Sequence, residues 1–151
     1  MARQRIQAAR GLASVLLLSV YQRRDRVALV LFGGDGARLA VPPTRGVSAI
    51  DAALAGCPTG GATPLAAGLE LAGRLALREQ ACGQTVPLLL LLSDGDANVP
   101  LEEPLRPVAA TLDALAAHGV LCALAAPVRE ERQHAARELA ALMPFRFHAP
   151  R

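Results

Sequence analysis

Five consecutive leucines, Leu88 to Leu92, stand inside the stretch "VPLLLLLSDGDANVP" from Val86 to Pro100. A run of that length with no polar position reads as a strand apolar on both faces, as in the interior of a parallel sheet. It ends abruptly in Ser93, Asp94, Gly95, Asp96, Ala97 and Asn98, a cluster of oxygen-bearing and turn-forming side chains. In open α/β sheets, ligands bind beyond the carboxyl ends of the strands. A carboxylate at the end of a buried strand is also desolvated unless a metal, a helix N-terminus or an arginine compensates it. Asp94 is therefore either a metal ligand or a structurally compensated carboxylate. Asp96 and Asn98 read as turn formers and caps.

The rest of the chain alternates in the same way. Apolar residues at Ile6, Ala9, Ala13, Leu16, Leu17 and Val20 predict an amphipathic helix over 3–23. "RVALVLF" predicts a strand over 26–32, "GGDG" a turn at 33–36, and "ARLAV" a returning hairpin strand over 37–41 that "PPT" breaks. A short helix fits 47–55. Pro64 suits the first turn of a helix over 64–82, where its missing N–H costs nothing, with Leu65, Leu69, Ala72 and Ala76 as its buried stripe. The strand over 86–92 follows, then a helix over 104–117 carrying Leu105, Val108, Leu112 and Leu115. A second fully apolar strand over 119–126, a helix over 130–142 and a final edge strand over 145–149 complete the pattern. Strands alternating with helices imply an α/β fold, Rossmann-like, with a mostly parallel sheet covered by helices on both faces.

The chain has 151 residues, which is the size of one domain. Only 3% of them are aromatic, and the arginines that supply all the basic charge are scattered. Nucleic-acid readers need clustered cations and, for single strands, aromatic platforms, so that class is disfavoured. The basic start and "GLASVLLLSV" imitate a secretory leader, but no small-residue cleavage site follows and the apolar positions keep helical spacing. The expectation is a cytoplasmic chain, and no apolar run reaches the length of about 18 needed to span a membrane. Cys57, Cys82 and Cys122 are widely spaced and form no CxxC pair, which predicts small buried hydrophobes rather than disulfides or zinc ligands.

Other constellations fail on inspection. "DGDAN" opens like a calcium loop, but Val99 stands where the invariant glycine belongs and Leu105 where the bidentate glutamate belongs. "TGGATP", Thr59 to Pro64, resembles a phosphate cradle but lacks the lysine of a P-loop. It reads as a tight turn before the helix, or as a loop in which Thr63 offers its hydroxyl to an ion. His118, His134 and His148 lie far apart, and no serine sits in a G-x-S-x-G elbow, so no catalytic residue is assigned.

"TGGATPL" before a helix, followed by an apolar strand ending in "SDG", resembles two of the three metal-site segments of the von Willebrand factor A domain. More narrowly, "YQRRDRVALVLFGGDGARLAVPPTRGVSAIDAALAGCPTGGATPLAAGLELA" with "PLLLLLSDGDANV" is similar to the C-terminal domain of magnesium-chelatase D subunits and of the related cobalt-chelatase subunit. The resemblance covers residues 1–151, taken as one von Willebrand factor A domain. It implies a metal-ion-dependent adhesion site holding Mg²⁺, with Thr63 as the threonine ligand and Asp94 as the aspartate ligand. It implies an interaction module that couples an AAA-type ATPase motor subunit to the large subunit that inserts Mg²⁺ or Co²⁺ into a tetrapyrrole. Nucleic acid and membrane are not implied partners.

The family's first site segment, D-x-S-x-S at the end of the first central strand, occurs nowhere in the 151 residues. The expectation is that this strand is missing, leaving a slot between the strands at 26–32 and 86–92 and only a partial, weak Mg²⁺ site. Either the reading frame continues upstream of Met1 or the gene is a remnant, or this is a separate short protein that has given up the metal. The first explanation is preferred, because unpaired strand edges are costly. The alternative functional reading is a stand-alone von Willebrand A binding domain with an unrelated partner.

Overall fold

The structure is a computed structural model. It describes residues 21–34, 36–57, 62–83, 86–93 and 105–125, together with positions 11, 13, 17, 18, 137, 141, 142, 145 and 146. Gly11, Ala13, Leu17, Leu18 and Tyr21 to Arg23 are helical, in keeping with the expected first helix. The elements that follow are β1 (Val27–Gly33), β2 (Gly36–Thr44), α1 (Val47–Ala55), α2 (Leu65–Cys82), β3 (Leu88–Leu92), α3 (Leu105–Ala117), β4 (Leu121–Ala125) and β5 (Phe145–Arg146). Arg137 and Ala141 are helical, and the rest of the expected helix over 130–142 lies outside the described residues.

The strands form two sheets. β1 and β2 make an antiparallel hairpin. β3, β4 and β5 make a parallel sheet in that order. β1 is apolar from Val27 to Phe32 and packs against α1 and α2. Phe32 packs into a core built from Leu65 and Leu69 of α2, Leu89 and Leu91 of β3, Val108, Leu112 and Leu115 of α3, and Cys122 and Leu124 of β4. Val27 and Leu29, an odd number of residues away and hence on the opposite face, pack with Leu17, Val41 and Ile50 in a second core. The first core joins the two sheets, because α2 lies against both β1 and β3.

Glycines set the closest approaches of α2. A Cβ built on Gly68 would lie 2.7 Å from Phe32 Cδ1, and one on Gly73 would lie 2.7 Å from Leu115 Cδ2. The end of α3 is fixed by Gly119 at φ +75°, a conformation that glycine adopts without steric cost. Its N–H donates to Ala116 O at 2.9 Å, and Val120 N–H donates to Leu115 O at 3.0 Å. This pair of bonds is the Schellman arrangement, and buried Val120 supplies its apolar contact.

Three expectations are corrected. β2 does not stop before the prolines but runs through Pro42 and Pro43 to Thr44, opposite Val27. An edge strand has an open side on which a missing N–H costs nothing, and register shifts between Val27 and Val30 absorb the irregularity. β3 is not buried along its whole length: Leu89 and Leu91 are buried and Leu90 and Leu92 half-buried, but Leu88, at its start, is 60% exposed. The cysteines differ from one another: Cys122 is buried, Cys57 half-buried and Cys82 exposed at the end of α2.

Candidate functional site

Thr63 sits at the mouth of α2. It is half-buried, and its carbonyl accepts the Leu65 N–H at 2.9 Å as the chain turns into the helix. Pro64 precedes the first helical residue rather than occupying the first turn, and its carbonyl accepts the Gly68 N–H at 3.1 Å. The local reason is steric. Proline restricts the residue before it to extended conformations, so Thr63 cannot be helical and its side chain stands at the helix entrance.

A long-range bond ties this loop to the sheet. Gly34 N–H, just beyond the end of β1, donates to Ala62 O at 2.9 Å. Gly34 holds φ +58° there. The carboxyl end of β1 and the Thr63 loop are thus adjacent, at the end of the strand where α/β sheets bind ligands. This bond has no signature in the residue pattern, since it joins two backbones 28 positions apart.

On the second sheet, Leu92 ends β3 and Ser93 follows it, half-buried. Asp94, Asp96 and Asn98 lie outside the described residues. The structure therefore describes Thr63 and not its expected partner ligand. The von Willebrand resemblance implies Mg²⁺, which takes near-octahedral oxygen coordination with retained waters. Among the described residues Thr63 is the implied ligand, and no group of three or more His, Cys, Asp or Glu side chains stands together.

Charge near the helix is structural. Arg26, before β1, pairs with Glu79 of α2 at 2.7 Å. His118 Nδ1 lies 2.8 Å from Ala114 O, and Gln80 donates to His118 O at 3.3 Å. Burial pushes the Cys122 thiol up, away from the reactive thiolate form. Among the described residues no buried side-chain nitrogen or oxygen lacks a partner. No helix among them is long and apolar enough to cross a membrane.

Comparison with known proteins gives this arrangement its context. The chain is 43% identical over 111 residues to the magnesium-chelatase 60 kDa subunit of Cereibacter sphaeroides, a match covering 74% of this chain and 20% of that protein. It is 36% identical over 110 residues to the magnesium-chelatase 67 kDa subunit of Chlorobaculum parvum, covering 73% of this chain and 18% of that one. The chain thus spans about a fifth of the length of these relatives. In fold it is similar to BatB from Bacteroides thetaiotaomicron (TM-score 0.66, 14% identity, 95% of this chain and 79% of that one). It is also similar to the SpRpn10 VWA domain (TM-score 0.60, 11% identity, 92% and 77%). The family model for the von Willebrand factor type A domain matches residues 1–96, which hold both β1 with its hairpin and the Thr63 loop. With the α/β layers and the helix-mouth threonine already in place, that match assigns the chain to the von Willebrand factor type A family.

Proposed function

We propose that this chain is a protein-interaction module of a tetrapyrrole metal chelatase. In that role it couples an AAA-type motor subunit to the large subunit that inserts Mg²⁺ or Co²⁺, and it works in the cytoplasm. The observation that carries the reading is the similarity to magnesium-chelatase subunits over most of the chain, extending through the Thr63 loop and α2.

Thr63 and Asp94 are the positions at which this domain would contribute ligands to Mg²⁺. Two oxygen donors fall short of what the ion requires, so affinity in this chain alone is weak. An interaction role does not need a tight resident ion, because partner recognition can rest on apolar and backbone contacts.

Competition tests the reading. Excess chain added to a reconstituted magnesium or cobalt chelatase is expected to lower the metal-insertion rate by displacing the homologous subunit. An unchanged rate at saturating excess would remove the support for a chelatase role.

A further inference from the structure

We propose that the end of the molecule where β1 begins is a docking surface for an acidic segment of a partner polypeptide, one that also carries an apolar side chain. This face stands apart from the chelatase reading and from Thr63. The Thr63 loop meets the far end of β1, at Gly34.

The fold gathers arginines here that are distant in sequence. Arg23, Arg24 and Arg26 lead into β1, and all three are exposed. Val27 pairs with Thr44 across the hairpin, so the exposed Arg45 comes next to Arg26. Arg26 reaches the same corner, where it donates to Pro43 O at 3.5 Å. α2 brings a fifth guanidinium, that of Arg78. The Glu79 carboxylate lies 2.7 Å from Arg26 and 3.9 Å from Arg78, whose side chain is 67% exposed. One carboxylate thus stands between two guanidiniums. Five arginines against Asp25 and Glu79 leave an excess of +3, equal to the formal net charge of the whole chain. Among the described residues no carboxylate pairs with Arg23, Arg24 or Arg45.

An apolar face adjoins the cations. Leu18 and Tyr21, three apart on the last turns of the first helix and so on one side of it, are 61% and 68% exposed. Tyr21 is the chain's one tyrosine. Its carbonyl accepts the Arg24 N–H, which fixes the turn that displays the arginines. Arg24 holds φ +57° in that turn, a conformation that asparagine or glycine adopts more cheaply. An arginine kept there at a cost in strain points to use of its side chain. Tyrosine and arginine are also the residues enriched where protein partners bind.

A polypeptide suits this face better than a nucleic acid does. Asp25 and Glu79 interrupt the cations and would repel a continuous line of phosphates. One tyrosine is not a stacking platform for successive bases. Separate carboxylates fit the guanidinium forks, each through paired hydrogen bonds. Exposed Leu18 is matched by an apolar side chain on the same segment.

The test uses the full 151-residue chain and a fluorescein-labelled, glutamate-rich peptide carrying two leucines three positions apart. Fluorescence anisotropy is expected to show saturable binding that weakens as salt is raised. Arg23→Gln combined with Arg24→Asn is expected to weaken it by about tenfold, since two exposed ion pairs are lost. Asparagine tolerates the left-handed conformation, so the turn persists. Arg38→Gln combined with Arg106→Gln removes the same charge from exposed positions away from this end. That pair is expected to change binding by less than about twofold, because distant charges are screened. An absence of saturable binding, or equal weakening by the two pairs, would overturn the proposal. So would tighter binding of an oligothymidylate of equal charge or of phosphatidylserine vesicles, which would assign the face to nucleic acid or to lipid.

Discussion

Gly68 and Phe32 meet where α2 crosses β1, and the ring takes the space of a Gly68 side chain: a Cβ there would stand 2.7, 2.8 and 3.0 Å from Phe32 Cδ1, Cγ and Cβ. The contact fixes the distance between helix and hairpin, and with it the position of the Thr63 loop one turn earlier. Phe32 Cβ is anchored to the backbone of β1, so the ring has little room to yield.

Gly68→Ala is accordingly expected to destabilise the fold. Overpacking costs typically about 1–3 kcal/mol, and the helix-propensity gain of alanine over glycine, about 1 kcal/mol, offsets part of it. A Cβ on Gly73 would stand 2.7, 3.1 and 3.3 Å from Leu115 Cδ2, Cδ1 and Cγ, atoms that can shift by side-chain rotation, so Gly73→Ala is expected to cost less than Gly68→Ala. Urea denaturation of both variants checks the order. A Gly68→Ala chain more stable than Gly73→Ala would refute the packing argument.

Arg24 adopts φ +57°, the left-handed region, between the first helix and β1, and its N–H donates to Tyr21 O at 3.2 Å. A non-glycine residue pays roughly 1–2 kcal/mol there. Arg24→Gly is therefore expected to raise stability by up to about 1 kcal/mol, reduced by the greater freedom of glycine in the unfolded chain. Thermal melting measures it, and a lower melting temperature would count against the strained turn.

The thiols are expected to react in order of exposure. Cys82 is labelled first, Cys57 more slowly, and Cys122 only as the chain opens. Burial raises the Cys122 value in the folded state. The unfolded chain therefore loses that proton first. The contribution is present below the unfolded value of about 8.5 and is lost as pH rises through the folded value. Stability is expected to fall on the alkaline side, and Cys122→Ala should flatten that slope while costing packing. Mass spectrometry of timed alkylation and denaturation across pH read the two effects.

Much of this was legible in the sequence because the signals are local. The helix at 47–55 is where its boundaries were read, and the stripe on α2 is where its spacing put it. The leucine run announced β3 but not its surroundings. Five leucines read the same at the exposed start of a strand and in its buried middle, so the exposure of Leu88 was invisible. Pro42 and Pro43 looked like a stop because proline breaks paired strands, and only the edge position of β2 explains why it continues. That Thr63 stands just before α2 was legible from "TGGATP", but the Gly34–Ala62 bond that holds its loop to β1 is a long-range backbone contact without a sequence signature.

Calorimetry on the isolated chain is expected to show no saturable, stoichiometric Mg²⁺ binding, and Thr63→Ala is expected to leave that titration unchanged. Two donors cannot supply the coordination the ion prefers. A tight site with one ion per chain, weakened by Thr63→Ala or Asp94→Ala, would contradict the partial-site reading.

The central claim is association with chelatase subunits, and sedimentation velocity tests it most directly. The chain is mixed with the purified AAA-type motor subunit and the large subunit of a magnesium or cobalt chelatase, with ATP and Mg²⁺ present. The predicted result is that the chain moves with the larger species, while an unrelated von Willebrand A domain does not. A chain that sediments alone at every subunit ratio would contradict the account.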